Sequence, residues 1–441
     1  MADLAEQLAL LRKKIARIDR KYADVPAPIP FRPKLPEHSE SIETVLAGSV
    51  CTNSDGQHFQ TEKFYGRHRR YGSIDISDLQ ELPGDLLDAL SDGAIRNCPV
   101  EKWAFLDTET TGLAGGSGTY AFLIGVGSVD RAGFRVRQFF MRDYDEERSQ
   151  LMALTEYLDQ FDVLITYNGR TYDQPLLETR YRMARLKPPF GRLEHLDLLH
   201  GARRLWKLRL LDCRLVHLEE KILGIEREGD LPGELIPHFY FDFVRTKRAL
   251  SLVPIFHHNV MDIVTLACLT AVVPRGFRDP GAIEARHGAD LLGLSRWLLE
   301  AGRVDESLAL MRRAVELGLP DALLFRTLFD IGRNEKKRDN LAGALELFTE
   351  LAQSRNPFRG RAFEELAKFY EHVEKNPALA LEMTRGARRE EDSDGLLRRE
   401  ARLTKKLAGR RLKCGFDFGK VEILLTEARA VNNSTVAADE E

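Results

Sequence analysis

The sequence predicts a mixed α/β domain built on one central sheet, followed by an all-helical region. From Trp103 onward, short apolar runs and amphipathic stretches follow one another in the order strand, strand, strand, helix, strand, helix. That order fits a single sheet with helices packed on it. After Pro274 the pattern turns helical almost to the end of the chain. We therefore expect the α/β domain at residues 95–275 and the helical domain at residues 285–412.

Three further segments complete the predicted organisation. Residues 1–25 carry apolar side chains at alternating spacings of four and three, which indicates either a short coiled coil or an amphipathic helix docked on the protein. Residues 26–94 begin with the proline-rich run VPAPIPFRPKLPE, which excludes a helix and an inner strand. We expect a Pro-rich linker and an irregular polar segment there, and a tail at residues 413–441.

Three segments of the helical region align with one another. Ser307, Ala344 and Ala380 fall in register at spacings of 37 and 36 residues, slightly above the period of a tetratricopeptide repeat. The alignment predicts a tetratricopeptide-like domain, which would offer a surface to a protein partner. A generic helical bundle is the alternative, because small residues recur on the packed faces of any helices.

The composition excludes several classes of protein. Lys and Arg (65) nearly balance Asp and Glu (68), and 43% of the residues are hydrophobic, so the chain is neither a polycation nor largely disordered. Any nucleic-acid contact must therefore come from a local basic patch. The five cysteines are scattered without a CxxC pair, which predicts reduced thiols in a cytoplasmic protein. No apolar run approaches the length of a membrane span, and we expect no membrane partner.

The stretch FLDTETTGL holds the strongest chemical signal. Asp107 and Glu109 stand two residues apart at the end of an apolar strand, so both side chains leave the same face of the sheet. Two carboxylates this close repel each other, and a divalent cation between them removes the repulsion. Oxygen ligands suit Mg²⁺ or Mn²⁺. A solvated turn at the strand end is the alternative.

Two more carboxylates follow in similar surroundings. Asp173 comes just after a buried strand and opens a helix, where the alternative is a simple helix cap. Asp262 lies on the polar side of an otherwise apolar helix, and an aspartate facing a core is costly unless it is paired or bound to a metal. A capped or surface position is the alternative for Asp262.

The order Asp–x–Glu, Asp, Asp resembles the DEDD (DnaQ-like) exonuclease superfamily, which has an RNase H-like fold. More closely, LDTETTGLAGGSGTYAFLIG, TYNGRTYDQPLLETRY, DLLHGARRLWKLRL, GDLPGELIP and HHNVMDIVTLA resemble the bacterial YprB-type branch of that superfamily. The resemblance covers about residues 95–275. It implies an RNase H-like mixed sheet flanked by helices and two divalent cations, Mg²⁺ or Mn²⁺. The implied metal ligands are Asp107, Glu109, Asp173 and Asp262.

The resemblance also implies a general base shortly before the last aspartate. One branch of the superfamily has a His five residues before it and the other a Tyr four residues before it; here His257 occupies the first position and His258 the second. His258 and Asp262 are four apart and would share a helix face, so we predict that His258 is the base. If the helix begins only at Asn259, His257 becomes the alternative base.

Further residues are predicted to contact nucleic acid. A glycine-rich turn after the first acidic pair would let a sugar-phosphate backbone approach, although a simple hairpin turn is the alternative. The basic stretch RRLWKLRLLDCR would supply phosphate contacts and base stacking; the alternative is a solvated amphipathic helix with its tryptophan in the core. The predicted contacts are Thr110, Gly112, Leu113, Asn168, Arg203 and Trp206.

We therefore expect a metal-dependent nuclease that hydrolyses phosphodiester bonds. By resemblance it would be a 3′–5′ exonuclease acting on DNA or RNA, on a single strand or a 3′ end. The alternative is a tetratricopeptide adaptor whose nuclease-like domain binds nucleic acid without cleaving it. All four acidic positions are filled, which favours the enzyme, because an adaptor could have lost any of them at little cost.

Overall fold

The computed structural model describes residues 41–82, 95–112, 118–227, 229–278, 280–282 and 286–414. The predicted N-terminal helix and the proline-rich run lie outside these described residues. So does the predicted tail, apart from its first two residues.

A seven-stranded mixed sheet forms the centre of the α/β domain, with strand order β1-β2-β7-β6-β5-β8-β9. Its strands are β1 (Gly48–Asn53), β2 (Gly56–Gly66), β5 (Trp103–Thr110), β6 (Ala121–Asp130), β7 (Gly133–Phe140), β8 (Val163–Thr166) and β9 (Glu194–Asp197). The pairs β5–β8 and β8–β9 are parallel and the other neighbours are antiparallel. A separate ribbon pairs β3 (Arg70–Tyr71) with β4 (Ile74–Asp75). The predicted mixed sheet is confirmed.

The hairpin β1–β2 was not expected from the sequence. Residues 48–66 fall in the segment predicted to be irregular, yet β2 pairs with β7 and extends the edge of the sheet. The prediction is wrong here because β2 is a strand with few apolar residues: Phe59 and Tyr65 are buried on it, while most of its other residues are polar. The pairing of Asn53 with Gly56 leaves a two-residue turn between the strands, as in a tight hairpin.

Helices cover both faces of this sheet. They are α1 (Ile42–Val45), α2 (Ser77–Gln80), α3 (Glu147–Leu158), α4 (Asp173–Met183), α5 (Leu198–Trp206), α6 (Leu215–Leu218), α7 (Ile236–Thr246) and α8 (Val253–Arg278). Helices α3 and α4 pack on Ala104 and Leu106, whereas α5 and α8 pack on Trp103 and Phe105. Successive residues of β5 thus enter different cores, as expected for a strand buried on both faces.

Helix α8 includes most of a stretch with the length and apolar composition of a membrane span, Leu250–Val272. In the most apolar part of this stretch, 67% is buried inside the protein. Core helices of this kind have the same composition, and α8 packs directly on β5, β6 and β7. Its apolar residues therefore have partners within the sheet core.

The described residues 286–414 fold into helices, as the sequence predicts. They are α9 (Gly288–Glu300), α10 (Val304–Glu316), α11 (Asp321–Lys337), α12 (Leu341–Gln353), α13 (Arg359–His372), α14 (Pro377–Glu390) and α15 (Asp394–Cys414). Consecutive helices pack on one another, and the aligned residues Ser307, Ala344 and Ala380 are buried on α10, α12 and α14. Their classification as tetratricopeptide repeats stays a prediction.

The first helices of this region continue the core of the α/β domain. Leu291, Trp297 and Met311 belong to the same buried cluster as Trp103 and Phe105. Helix α9 packs on α5. The two parts of the chain therefore share one hydrophobic core where they meet.

Gly293 permits the close approach of α9 to α5. A Cβ atom at this position would lie 2.2 Å from the carbonyl oxygen of Leu205 and 2.8 Å from that of Arg204. Because backbone atoms must move to relieve such contacts, we expect Gly293→Ala to lower the free energy of unfolding by about 1–3 kcal/mol, as measured by urea denaturation. Gly409→Ala is the matched control, since its Cβ would have no neighbour within 4 Å. Equal stability of the two variants would contradict this packing.

Candidate active site

Strand β5 carries two of the predicted acids near its C-terminal end. Its side chains alternate between faces, so Phe105, Asp107 and Glu109 point towards α8. Phe105 is fully buried, and the pairing of β5 with β6 shifts register between Glu109 and Thr110. The carboxylates therefore lie where the apolar core of this face ends.

Asp107 is held by a buried asparagine. The side-chain amide of Asn259 donates to Asp107 Oδ2 (2.8 Å) and to the Asp107 carbonyl oxygen (3.3 Å). Asn259 Oδ1 accepts from Gln138 Nε2 (2.9 Å), and Gln138 Oε1 accepts from the Thr61 hydroxyl (2.8 Å). A chain of hydrogen bonds thus runs from the hairpin strand β2 through β7 and α8 to Asp107.

Asp173 reaches the same region from the other face of the sheet. It is the first residue of α4, and its Oδ1 accepts a hydrogen bond from the Thr108 hydroxyl at 2.5 Å. Burial raises the pKa of Asp173 to about 6, against the opposing effect of the Thr108 hydrogen bond. Asp173 therefore contacts β5 directly through its side chain.

Asp262 is paired with a buried arginine, Arg227. Arg227 Nη2 lies 2.5 Å from Asp262 Oδ1, its Nε 2.5 Å from Glu219 Oε2 and its Nη1 3.1 Å from Asp230 Oδ2. The Arg227 side chain is 6% exposed and that of Glu219 is 1% exposed. The Tyr71 hydroxyl donates to the second oxygen of Glu219 (2.5 Å). One guanidinium thus pairs with three carboxylates, of which Asp262 belongs to the predicted site.

The structure places His258 at the site. Helix α8 begins at Val253, so His258 and Asp262 share a helix face, with His258 Nε2 3.5 Å from Asp262 Oδ2. The other ring nitrogen, Nδ1, lies 2.8 Å from Asp230 Oδ1. His257 is exposed. The imidazole of His258 is therefore held between two aspartates, and its role as a base stays a prediction.

The Asp230–His258 pair shifts both of its groups towards the charged form. Burial raises the pKa of Asp230, but the hydrogen bond from His258 and the charges of His258 and Arg227 outweigh it and lower the pKa to about 2. Burial lowers the pKa of His258, but the hydrogen bond to Asp230 and the nearby carboxylates outweigh it, so the pKa is raised. For His257, burial lowers the pKa.

The acids on β5 are electrostatically unfavourable where they stand. Burial raises the pKa of Asp107 and of Glu109 well above the ordinary carboxyl value. Repulsion from Asp262 and Asp173 adds to the rise for Asp107, and repulsion from Asp107 and Asp262 adds to it for Glu109. A bound cation or a proton would relieve this repulsion.

The donor set fits a hard divalent cation. All four predicted ligands are carboxylates, the ligand type that Mg²⁺ and Mn²⁺ prefer. Within the described ranges, no three His, Cys, Asp or Glu side chains are arranged as ligands of one metal ion. The carboxylates instead hold hydrogen-bond partners: Asp107 binds Asn259, Asp173 binds Thr108 and Asp262 binds Arg227. The chemistry suits a cation, and binding one would require some of these contacts to be exchanged.

The raised pKa of Asp173 gives a pH-dependent prediction for the protein in a chelator. Its ionisation costs stability in the folded state, and this cost is absent below about pH 4 and complete above about pH 6. We expect Asp173→Asn to be more stable than the wild type at about pH 8 by about 1–3 kcal/mol, and this advantage to disappear towards about pH 4. Urea denaturation at both pH values measures it, with Asp339→Asn as the exposed control. An advantage that is the same at both pH values would contradict the prediction.

A side-chain hydrogen bond spans the bend that directly follows the first acidic pair. The Thr110 hydroxyl donates to the carbonyl oxygen of Gly112 (2.9 Å), and both residues are partly exposed beside the acids. Leu113 lies outside the described residues. The predicted nucleic-acid contacts of Thr110 and Gly112 stay predictions.

The basic stretch on α5 is split between surface and core. Arg203 is exposed and lines a cavity together with Asn168. Trp206 is 5% exposed and packs in the core beneath the sheet, so its ring is closed to base stacking. The prediction for Trp206 is wrong because α5 is amphipathic: its apolar face, which includes Trp206, turns inward.

Sequence reasoning missed three residues of the site. Arg227 and Asp230 lie in a segment between α6 and α7 that has no regular hydrophobic period, so their roles depend on how that segment folds back. For Asn259 the sequence pattern suggests only a helix cap. The signal that could have found it is a polar side chain on an otherwise apolar helix, where burial demands a partner.

Comparison with known proteins agrees with this fold. A family model described as RNase_H superfamily matches residues 104–273. The chain therefore contains a domain of the RNase H superfamily, a fold typical of nucleases. Over 331 residues it is 31% identical to the uncharacterized protein YprB of Bacillus subtilis (strain 168), with 72% of this chain and 77% of YprB covered. The chain belongs to the YprB family.

Proposed function

We propose that this protein is a metal-dependent nuclease that hydrolyses phosphodiester bonds from a 3′ end. The observation that supports it most is the gathering of Asp107, Glu109, Asp173 and Asp262 around the end of β5, where their mutual repulsion favours a cation. The RNase H superfamily match over the same residues supports nuclease chemistry.

In this proposal the four carboxylates hold two divalent cations, Mg²⁺ or Mn²⁺. When bound, such ions would polarise the scissile phosphate and lower the pKa of the attacking water. His258 accepts the proton of the attacking water, and Asp230 fixes the orientation of its ring through Nδ1. Asn259 orients Asp107, and Arg227 offsets part of the negative charge of the site.

The proposed substrate is single-stranded DNA or RNA with a free 3′ end. The helical region offers further surface for a protein partner. The cysteines at positions 51, 98, 213 and 268 are free, in line with a proposed cytoplasmic location.

The test is incubation of the protein with single-stranded DNA and RNA oligonucleotides labelled at the 5′ end, in Mg²⁺, in Mn²⁺ or in chelator. We expect a ladder that shortens from the 3′ end in the presence of metal and intact substrate in chelator. The oligonucleotide that is cleaved faster, DNA or RNA, identifies the substrate.

Binding without cleavage of either strand in any metal would contradict the proposed function. It would favour an adaptor that uses the nuclease-like domain for binding alone. Cleavage that starts at internal positions would instead keep the nuclease and overturn its 3′ polarity.

A further inference from the structure

A cavity of about 540 Å³ opens beside the acidic site, between α5 and the loop that follows it. Two of its lining residues, Tyr167 and Asn168, directly follow the end of β8, and Arg203 and Lys207 come from α5 and its C-terminal cap. Loop residues 211–215 close the far side. None of the proposed metal ligands lines this cavity, and neither does His258.

The cavity carries an excess of positive charge. Arg203 and Lys207 are four residues apart, so they lie on one side of the helix. Both are exposed, and neither side chain forms a hydrogen bond or ion pair with any residue in the described part of the chain. Asp212 is the one acid among the described lining residues, and it is bound by Arg214, which also lines the cavity. Three cationic side chains against one carboxylate leave two positive charges uncompensated.

The cavity and the acids lie at the same end of the sheet, where the parallel strands β5 and β8 finish. Phe105 on β5 pairs in parallel with Ile165 on β8. Asp107 and Tyr167 each follow two residues later, so Tyr167 lies just past the end of β8, and the paired strands β5 and β8 are about 4.8 Å apart. The same loop that begins at Tyr167 ends at Asp173. A nucleic-acid strand whose 3′ end lies at the acids can therefore continue over the cavity.

The loop that joins the two sites is firmly held. Asp197 accepts hydrogen bonds from the backbone N–H groups of Asn168 (2.7 Å) and Arg170 (3.2 Å). Asn168 has a left-handed backbone (φ 66°), and its side-chain amide makes no hydrogen bond within the described residues. The Tyr167 hydroxyl donates to the Cys213 carbonyl and ties the far wall to β8. The amide of Asn168 is thus available to a ligand in a fixed setting.

We infer that this cavity, defined by Asn168, Arg203 and Lys207, binds the phosphates of the nucleic-acid strand next to its cleaved end. The inference rests on the proposed function. A cluster of carboxylates repels a polyanion such as nucleic acid. A cationic cavity next to the neighbouring β-strand offsets that repulsion. Tyr167 is the only aromatic side chain among the described lining residues, and its hydroxyl is engaged. Recognition is therefore of the backbone, independent of base sequence and sensitive to salt.

The test is the salt dependence of binding by an Arg203→Gln/Lys207→Gln double variant. Fluorescence anisotropy with labelled oligothymidylate and oligouridylate, in chelator and between about 50 and 200 mM salt, gives the slope of log K against log salt. Two lost phosphate contacts on a single strand lower the magnitude of that slope by about 1.4, with weaker binding of both oligonucleotides. The exchange Arg203→Lys/Lys207→Arg keeps the charge and should keep the slope.

A matched control removes the same charge elsewhere. Lys405→Gln/Lys406→Gln changes two exposed lysines on α15 and should leave affinity and slope unchanged. Because cations near a helix C-terminus also stabilise the helix, the melting temperature of each variant is measured alongside. Unchanged affinity and slope in the Arg203→Gln/Lys207→Gln variant would overturn the inference, as would an equal loss in the control.

A short substrate separates this inference from the proposed function. The p-nitrophenyl ester of thymidine 5′-monophosphate has only the scissile phosphate and therefore no second phosphate for the cavity to bind. We expect the Arg203→Gln/Lys207→Gln variant to lose a much larger factor in kcat/KM on oligonucleotides than on this ester. A wild type that hydrolyses neither substrate contradicts the proposed function, whereas the binding slopes still decide the role of the cavity.

Discussion

Replacing Asp107 with asparagine is expected to reduce the rate of phosphodiester hydrolysis by a factor of about 10³ or more. Burial and the repulsion of Asp262 and Asp173 both raise the pKa of Asp107, and a bound cation would relieve that repulsion. Metal-assisted stabilisation of a transition state is worth several kcal/mol, and each 1.36 kcal/mol is a factor of ten in rate. Initial rates on a labelled oligonucleotide in Mn²⁺ measure the loss.

The control for this loss is Asp339→Asn. It makes the same chemical change at an exposed position of the helical region, where the backbone is left-handed (φ 61°) and tolerates asparagine. We expect wild-type rates from it. The Asp107→Asn protein should remain folded, since the change removes a buried charge. Retention of hydrolysis within a few-fold of wild type would place the chemistry elsewhere.

Replacing Arg227 with methionine is expected to lower the free energy of unfolding by about 3–5 kcal/mol. The methionine fills part of the space, but Glu219 and Asp262 lose the guanidinium that compensates them, and Glu219 is 1% exposed. An unpaired buried carboxylate costs far more than the loss of an exposed ion pair. Urea denaturation at neutral pH measures the change.

Arg245→Met is the matched control for Arg227→Met. Arg245 also pairs with an aspartate (Asp242, 2.7 Å), but its side chain is 76% exposed, so we expect a loss below about 1 kcal/mol. Adding Glu219→Gln to Arg227→Met should recover part of the stability, because it removes the buried charge left without a partner. Similar losses in the two single variants would show that Arg227 has no special electrostatic role.

The sequence predicts those features whose signal is local. Successive side chains of a strand point to opposite faces of the sheet. The Asp–x–Glu spacing therefore places Asp107 and Glu109 on one face of β5, at its end. The four-residue spacing of His258 and Asp262 predicts that they share a helix face, and α8 starts early enough for this to hold.

Features that depend on distant parts of the chain were not predictable in this way. The hairpin β1–β2 is polar because it lies at the sheet edge, and only its pairing with β7 makes it a strand. Trp206 stands among basic residues in the sequence, yet its helical phase turns it into the core. Arg227 and Asp230 acquire their roles only when their segment folds against α8, and no periodicity records that contact.

The central claim is that the carboxylates around the end of β5 form a divalent-cation site. Its most direct measurement is the melting temperature of the wild type and of Asp107→Asn over a titration with Mn²⁺ after removal of metal by chelator. A ligand that binds only the folded protein stabilises it by about 2.7 kcal/mol at a hundredfold excess over Kd. We predict a saturable rise for the wild type and little or none for Asp107→Asn. No rise in the wild type, or the same rise in both proteins, would contradict the claim.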